Sequence, residues 1–182
     1  MSRYENIERI IYKKVEEWKP DSIVELGFGS GALAIAAAYG LEKFNPKGKI
    51  NTYDSLKEVP VFLEGNKAES RIKERNLNNY INLTVGDVFT EWVNKPFNFN
   101  LLLIDINNTW DIIHKIVIVN SFIYNKVKEG AKVLIEGGDP NHPRINQNSL
   151  NSFNDKNGKQ IFSFVHLGGS GRTSISELKI LV

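Results

Sequence analysis

The chain has 182 residues, of which 41% are hydrophobic and 24% charged, with a formal net charge of +2. This composition is typical of a globular domain, and it argues against wholesale disorder and against a strongly basic nucleic-acid-binding surface. The absence of cysteine excludes disulfides, thiolate zinc sites and a cysteine nucleophile, and no apolar run approaches the length of a membrane span.

The first elements in chain order are a helix and a strand. Ser2 and Glu5 have the spacing of a capping box, and apolar residues then recur at helical spacing up to Trp18, before Pro20 ends the run. The short apolar stretch 22–26 is typical of a buried strand. We therefore expect a helix that leads directly into the first strand of a sheet.

A glycine-rich turn follows this strand. Gly27, Gly29 and Gly31 come first, and an alanine-rich segment from 32 to 43 then predicts a helix. Strand, glycine turn and small-residue helix together indicate a βα unit.

The same alternation continues through the middle of the chain. Further strands are expected at 49–54, 81–85, 100–106 and 131–135. Helices are expected between them at 61–76 and 109–127. Strands that alternate with helices predict a parallel sheet with right-handed crossovers.

The C-terminal part has a different character. Residues 139–157 are rich in Asn, Pro, Ser and Gly and predict a loop. Two strands are expected at 160–167 and 174–182, joined by residues 168–172 with no room for a helix. The sequence therefore predicts one α/β domain over 1–182, with a mostly parallel seven-stranded sheet that ends in an antiparallel hairpin strand.

The glycine turn is the strongest functional signal. Without a Cβ atom, its backbone amides can approach a ligand closely at the start of the next helix. The spacing is Gly27-x-Gly29-x-Gly31, which differs from the G-x-G-x-x-G of dinucleotide-binding proteins. An acid, Glu25, stands two positions before the first glycine. The glycines could also serve only tight packing of strand on helix.

The run Glu25-Leu26-Gly27-Phe28-Gly29-Ser30-Gly31 resembles the first motif of the Rossmann-like, class I S-adenosylmethionine-dependent methyltransferases. The resemblance extends in order through most of the chain, because the final hairpin is similar to the last two strands of that family. It implies S-adenosyl-L-methionine as the cofactor.

The resemblance also implies roles for acids that follow later strands. Asp54, followed by Ser55, would bind the ribose hydroxyls, because a carboxylate can accept two hydrogen bonds at once. Asp87, followed by Val88, would hold the adenine, and Asp105 would face methionine and substrate. Asp54 and Asp87 could instead serve local turns. The residues assigned to the cofactor are Glu25, Gly27, Phe28, Gly29, Gly31, Asp54, Ser55, Asp87, Val88 and Asp105.

The candidate catalytic residues are Asp105 and His142. The mechanism implied by the resemblance is in-line displacement, in which the enzyme contributes chiefly alignment. His142 lies in the loop after the fifth strand, on the side of α/β sheets where ligands bind, and is a candidate base or substrate contact. Some small-molecule O-methyltransferases of this fold bind a divalent metal nearby, and a site from Asp105, Glu136 and Asp139 stays open, although we assign no metal ligand.

The expected activity is therefore methyl transfer to an oxygen or nitrogen of a small-molecule acceptor. Two alternatives remain: a non-catalytic cofactor-binding subunit, and a nicotinamide-dependent oxidoreductase. We expect a cytoplasmic protein with no membrane and no nucleic-acid partner, since residues 1–14 contain no apolar leader core and basic residues are scattered. A homo-oligomer stays open.

Overall fold

A seven-stranded sheet forms the centre of the computed structural model, which describes residues 5–56, 66–106, 113–142, 158–160, 162–171 and 173–181. The strand order is β3-β2-β1-β4-β5-β7-β6. The first five strands run parallel to one another, and β7 is antiparallel to both β5 and β6. The strands are β1 (Ser22–Leu26), β2 (Lys49–Asp54), β3 (Ile81–Val85), β4 (Leu101–Ile104), β5 (Lys132–Glu136), β6 (Phe162–Ser170) and β7 (Thr173–Ile180).

Helical segments connect these strands. They are α1 (Glu5–Trp18), α2 (Ala32–Phe44), α3 (Asn66–Glu74), a π-helical segment Phe89–Val93, a second π-helical segment His114–Val119, and α4 (Ser121–Lys128). None of the helices within the described ranges is long and apolar enough to cross a membrane.

Two hydrophobic cores cover the two faces of the sheet. The first joins α1, α2 and α3 to the sheet, and its buried side chains include Ile11, Leu33 and Ile72. The second lies on the opposite face, where Trp92 and Ile116 of the π-helical segments pack with Ile123 of α4. Strand β4 consists of four buried apolar residues because both of its faces are covered.

The predicted fold class is confirmed, whereas one predicted helix is wrong. The helix expected over 109–127 is interrupted, since a π-helical segment ends at Val119 and α4 begins at Ser121. Asn120 between them has an extended backbone and caps α4, because its side chain accepts a hydrogen bond from the amide of Ile123 at 3.2 Å.

Smaller differences concern element ends. Strand β6 continues to Ser170, so the hairpin turn is tighter than the expected loop 168–172. The π-helical segment Phe89–Val93 was not expected from the sequence. The capping box at Ser2, the first part of the helix expected at 61–76, and most of the loop 139–157 lie outside the described residues.

Candidate functional site

The register of the sheet aligns the residues at the carboxyl ends of four neighbouring strands. One row of paired residues crosses β2, β1, β4 and β5 at Tyr53, Leu26, Ile104 and Ile135. The residues that come next on these strands are Asp54, Gly27, Asp105 and Glu136. From this edge the chain runs from β1 to β2 on one side and from β4 to β5 on the other. Open α/β sheets bind ligands at the point where the two connections leave in opposite directions.

The glycine turn is held close to the end of β4. Gly27 has a φ of +88°, and a Cβ atom there would lie 2.1 Å from the carbonyl oxygen of Asp105. Gly29 has a φ of +48°, and, apart from its chain neighbours, only Oδ2 of Asp105 among the described residues lies within 4 Å of its Cβ position, at 3.9 Å. The first glycine therefore permits packing, whereas the space beside the second is open toward Asp105.

Asp54 joins the end of β2 to the glycine turn. Its Oδ2 atom accepts hydrogen bonds from the backbone amides of Phe28 at 2.7 Å and Gly29 at 2.9 Å. Its Oδ1 atom accepts a third from the amide of Leu56 at 2.7 Å. Two amides of the glycine turn therefore point at the Asp54 carboxylate. Ser55, the next residue, is partly exposed.

Glu25 is completely buried beneath the turn. Its Oε1 atom accepts from the amide of Ala34 in the first turn of α2, at 2.9 Å, and the hydroxyl of Thr52 donates to Oε2 at 2.5 Å. Burial is the main cause that raises the pKa of Glu25 to about 8, although both hydrogen bonds lower it. This acid links β1, β2 and α2, so it supports the turn from within.

Asp105 and Glu136 stand side by side at the ends of β4 and β5, because the residues before them, Ile104 and Ile135, are paired. Burial is the main cause that raises the pKa of Asp105 well above its ordinary value, and the neighbouring side chain and negative charge of Glu136 raise it further. The charges of Glu25 and Asp54 act in the same direction. The edge of the sheet therefore gathers four acids around the glycine turn.

Asp87 lies at the end of β3. Its Oδ1 atom accepts from the amides of Phe89 at 3.0 Å and Thr90 at 3.1 Å, so it stabilises the start of the π-helical segment. Val88 is buried against the second core. The amide of Gly86 donates to the carbonyl of Asp54 at 2.9 Å, so this turn lies next to the end of β2.

Asp139 belongs to a different set of contacts. Its oxygens accept from the amides of Gly171 at 2.6 Å and Asn141 at 2.9 Å, and these bonds lower its pKa. It therefore attaches the loop after β5 to the β6–β7 hairpin. Over the part of the chain that the structure describes, no three His, Cys, Asp or Glu side chains form a group that could hold a metal ion. The trio Asp105, Glu136 and Asp139 does not fit that role.

His142 ends the described part of the loop after β5. Its amide donates to the carbonyl of Asp139 at 2.9 Å, and its side chain is partly exposed. This places His142 beside the hairpin. Its proximity to Asp105 stays a prediction.

Two features of the site were not expected from the sequence. One is the proximity of Asp105 and Glu136, for which the adjacent ends of two buried strands were the available signal. The other is Arg71 of α3, whose guanidinium donates to the carbonyl of Ser30 in the glycine turn at 2.5 Å. No motif marks that arginine.

Solved structures similar to this chain include several methyltransferases. The chain is similar to the O-methyltransferase TomG of Streptomyces achromogenes, in complex with SAM, at 16% identity and a TM-score of 0.62, over 97% of this chain and 80% of that one. It is also similar to an O-methyltransferase of Bacillus cereus in complex with SAH (15% identity, TM-score 0.64, 97% and 81% covered). A third is the SAH-bound methyltransferase PaMTH1 of Podospora anserina. Its identity is 14% and its TM-score 0.62, over 97% of this chain and 78% of that one.

These likenesses show that the chain has the fold of the class I S-adenosylmethionine-dependent methyltransferases. No protein-family model matches the sequence, and the comparison with curated proteins finds no match.

Proposed function

We propose that this chain binds S-adenosyl-L-methionine at the carboxyl edge of the sheet and transfers its methyl group to an oxygen or nitrogen of a small molecule. The observation that carries the proposal is that the Asp54 carboxylate accepts hydrogen bonds from the backbone amides of Phe28 and Gly29. The O-methyltransferases among the structural neighbours support an oxygen acceptor. We also propose that residues 1–182 act as one domain.

The charge of this edge favours a cationic ligand. A dinucleotide places an anionic pyrophosphate on the amides of such a turn. Here Asp54 already accepts from two of those amides, and Asp105 and Glu136 follow in the same row. S-adenosylmethionine instead carries a positive sulfonium and a positive ammonium group, which carboxylates attract. The arrangement therefore supports this cofactor over a nicotinamide dinucleotide.

Each acid has a distinct part in the proposal. Asp54 keeps the turn in place and has unused acceptor capacity for a ribose hydroxyl, since each carboxylate oxygen has two lone pairs. Asp87 uses Oδ1 for its own turn, and its other oxygen is assigned to the amino group of adenine. Glu25 acts through the protein by holding α2 against the turn.

The reacting groups would meet beside Gly29 and Asp105. The bound cofactor supplies an electrophilic methyl group on sulfur. The space beside Gly29 accommodates the ligand, and the row of carboxylates holds its positive charge next to the acceptor, so that alignment supplies most of the rate enhancement. His142 is the proposed further contact to the acceptor.

Equilibrium binding separates this proposal from an oxidoreductase. Fluorescence titration should detect S-adenosylhomocysteine binding and no NADH binding. The Gly29→Val variant should abolish S-adenosylhomocysteine binding, because the side chain occupies the space beside Asp105. Gly130→Val is the control, since Gly130 also has a positive φ and open surroundings at the other end of the sheet. Binding of NADH alone would overturn the proposal.

Turnover tests the catalytic part of the proposal. Transfer of a labelled methyl group from S-adenosylmethionine to any member of a panel of phenols, alcohols and amines is the expected result. Tight cofactor binding without transfer to any acceptor would favour a non-catalytic subunit.

A further inference from the structure

Arg71 joins α3 to the glycine turn. Its Nη1 atom donates to the carbonyl oxygen of Ser30 at 2.5 Å, and both residues are half-buried. The two residues are 41 positions apart in the chain, so this bond connects two elements and is not part of the local turn. A hydrogen bond with a charged donor is stronger than one between neutral groups.

The backbone of the turn depends on hydrogen bonds for its shape. Gly29 and Gly31, on either side of Ser30, have φ values of +48° and +78°, and glycine has more alternative backbone conformations than other residues. The amide of Gly31 donates to the carbonyl of Phe28 at 2.6 Å, while the carbonyl of Ser30, in the same peptide unit, accepts from Arg71. Arg71 therefore fixes the second side of a peptide unit between two flexible residues.

Arg71 and Asp54 hold neighbouring parts of the turn with opposite charges. The Asp54 carboxylate accepts from the amides of Phe28 and Gly29, and the Arg71 guanidinium donates to the carbonyl of the residue that follows them. Each backbone group thus meets a side chain of complementary charge. Together the two side chains orient three consecutive residues of the turn.

The packing of α3 gives Arg71 a fixed starting point. Ala68 and Ile72 of this helix are buried in the first hydrophobic core, at 5% and 4% exposure. They lie three residues before and one residue after Arg71, so the helix backbone that carries the guanidinium is held against the sheet. The guanidinium itself is planar and rigid, so it loses little freedom when it forms a hydrogen bond.

We propose that Arg71 is a positioning residue for the cofactor, which holds the Ser30 carbonyl so that the turn keeps the shape that leaves space beside Gly29. This inference rests on the proposed function. Arg71 acts through the turn and requires no contact with the reacting atoms. A turn that already has its binding conformation loses less entropy when the ligand arrives, so Arg71 should increase the affinity for the adenosyl group.

The charge of Arg71 offers a way to separate positioning from electrostatic attraction. Loss of a positive charge near the site should, by charge alone, strengthen the binding of a ligand with a positive sulfonium. Loss of positioning should instead weaken S-adenosylmethionine and S-adenosylhomocysteine by the same factor. These two probes share the adenosyl group and differ in the sulfonium charge and its methyl group.

Calorimetric titration of the full chain with both ligands measures this effect. Arg71→Met keeps much of the apolar length of the side chain and removes the donor, so it should weaken both ligands by about tenfold. Arg71→Lys keeps a positive donor and should recover affinity to within about threefold of the wild type. Circular dichroism checks that each variant is folded, and Arg71→Ala, with the same expected loss, replaces Arg71→Met if that variant does not fold.

Arg75→Met is the matched control. Arg75 directly follows α3, is exposed, and donates to the carbonyl of Arg71 at 3.4 Å, so its variant removes the same charge and keeps the bond to the turn. Its affinity for both ligands should stay within about twofold of the wild type.

Four results would overturn this inference and leave the proposed function standing. They are unchanged affinity in a folded Arg71→Met, an equal loss in Arg75→Met, a loss confined to S-adenosylmethionine, and a loss that Arg71→Lys does not reduce. Failure of the wild-type protein to bind either ligand would overturn the proposed function as well.

Discussion

The two edges of the sheet are closed by different kinds of side chain. At the amino edge, the Oδ1 atom of Asn100 accepts from the amides of Asp21 at 3.1 Å and Ser22 at 3.0 Å. The side-chain amide of Asn45 donates to the carbonyl of Pro20 at 3.1 Å. Neutral amides thus satisfy the backbone there. At the carboxyl edge, the corresponding positions hold acids.

The amino edge also contains a cavity of about 510 Å³. Its charged lining mixes both signs, from Lys19, Asp21, Lys126, Glu129 and Lys132. Lys126 and Glu129, three residues apart in its lining, form a salt bridge of 2.9 Å. Mixed charges of this kind do not favour a ligand of one charge.

Under the proposed function, the difference indicates where the protein gives up stability for ligand binding. Asn100 contributes hydrogen bonds without electrostatic cost, whereas Asp105 and Glu136 are acids held together against their mutual repulsion. Crowded acids are tolerated where a ligand later relieves the repulsion. The carboxyl edge is therefore expected to be sensitive to pH and ligand, and the amino edge only to packing and hydrogen bonding.

The largest effect is expected at Gly27, where the carboxyl edge has no room. Gly27→Ala should lower the free energy of unfolding by about 3 kcal/mol or more, because the methyl group would meet the Asp105 carbonyl at 2.1 Å. Gly130→Ala near the amino edge also has a positive φ but no atom within 4 Å, so it should lose about 1 kcal/mol. Urea denaturation measures both, and equal losses would show that β4 does not abut the turn.

The next effect is a pH dependence that arises at Glu25. Its pKa is raised from 4.5 to about 8 in the folded protein, so the folded state keeps a proton that the unfolded state loses. Stability should therefore fall as pH rises between these values, with a slope of at most about 1.4 kcal/mol per pH unit. Glu25→Gln should lack this contribution, and its stability relative to the wild type should rise with pH in denaturation experiments. Parallel profiles would contradict the burial of an acid here.

A smaller effect is expected at Asp54. The Asp54 carboxylate accepts hydrogen bonds from three backbone amides. In Asp54→Asn, an NH₂ group replaces one oxygen, so a donor faces at least one of these donors and that hydrogen bond is lost. Unfolding free energy should fall by about 1–3 kcal/mol, and the affinity for S-adenosylhomocysteine by about tenfold or more. The exposed acid Asp21 at the amino edge is the control, and Asp21→Asn should change stability by less than about 0.5 kcal/mol. Unchanged affinity in Asp54→Asn would separate Asp54 from the cofactor.

The smallest effect is expected at Asn100, on the amino edge. Asn100→Ala removes the acceptor from two exposed amides that water can then satisfy, so the loss should be about 1 kcal/mol. Affinity for S-adenosylhomocysteine should stay within about twofold of the wild type, since this edge is remote from the proposed site. A tenfold loss of affinity would mean that the ligand binds at the amino edge.

Much of the fold follows from local sequence signals. The bounds of β1, β2 and β3 agree with the sequence prediction because a glycine directly follows β1 and β3, and an aspartate is the last residue of β2. The break at Asn120 was missed because apolar residues continue on both sides of it. A single asparagine inside such a run becomes a cap only when its side chain finds partners, here Ile123 and the carbonyl of Val93.

The sequence predicts which residues lie at the candidate site, but it does not predict which of them contact one another. Asp54 and Asp105 could be expected at the carboxyl edge because they stand at the ends of buried strands. The proximity of Asp105 and Glu136 depends on the register of β4 against β5, which local sequence does not specify. Asp139 follows the same strand closely, yet Gly171 far along the chain takes its carboxylate. Such long-range partners decide which acids remain available.

A crystal structure with S-adenosylhomocysteine tests the central claim most directly. The adenosyl group should lie at the carboxyl edge against the turn of Phe28 and Gly29, with the ribose at Asp54 and the sulfur facing Asp105 and Glu136. Ligand density in the amino-edge cavity, or a carboxyl edge left empty at saturating ligand, would contradict it.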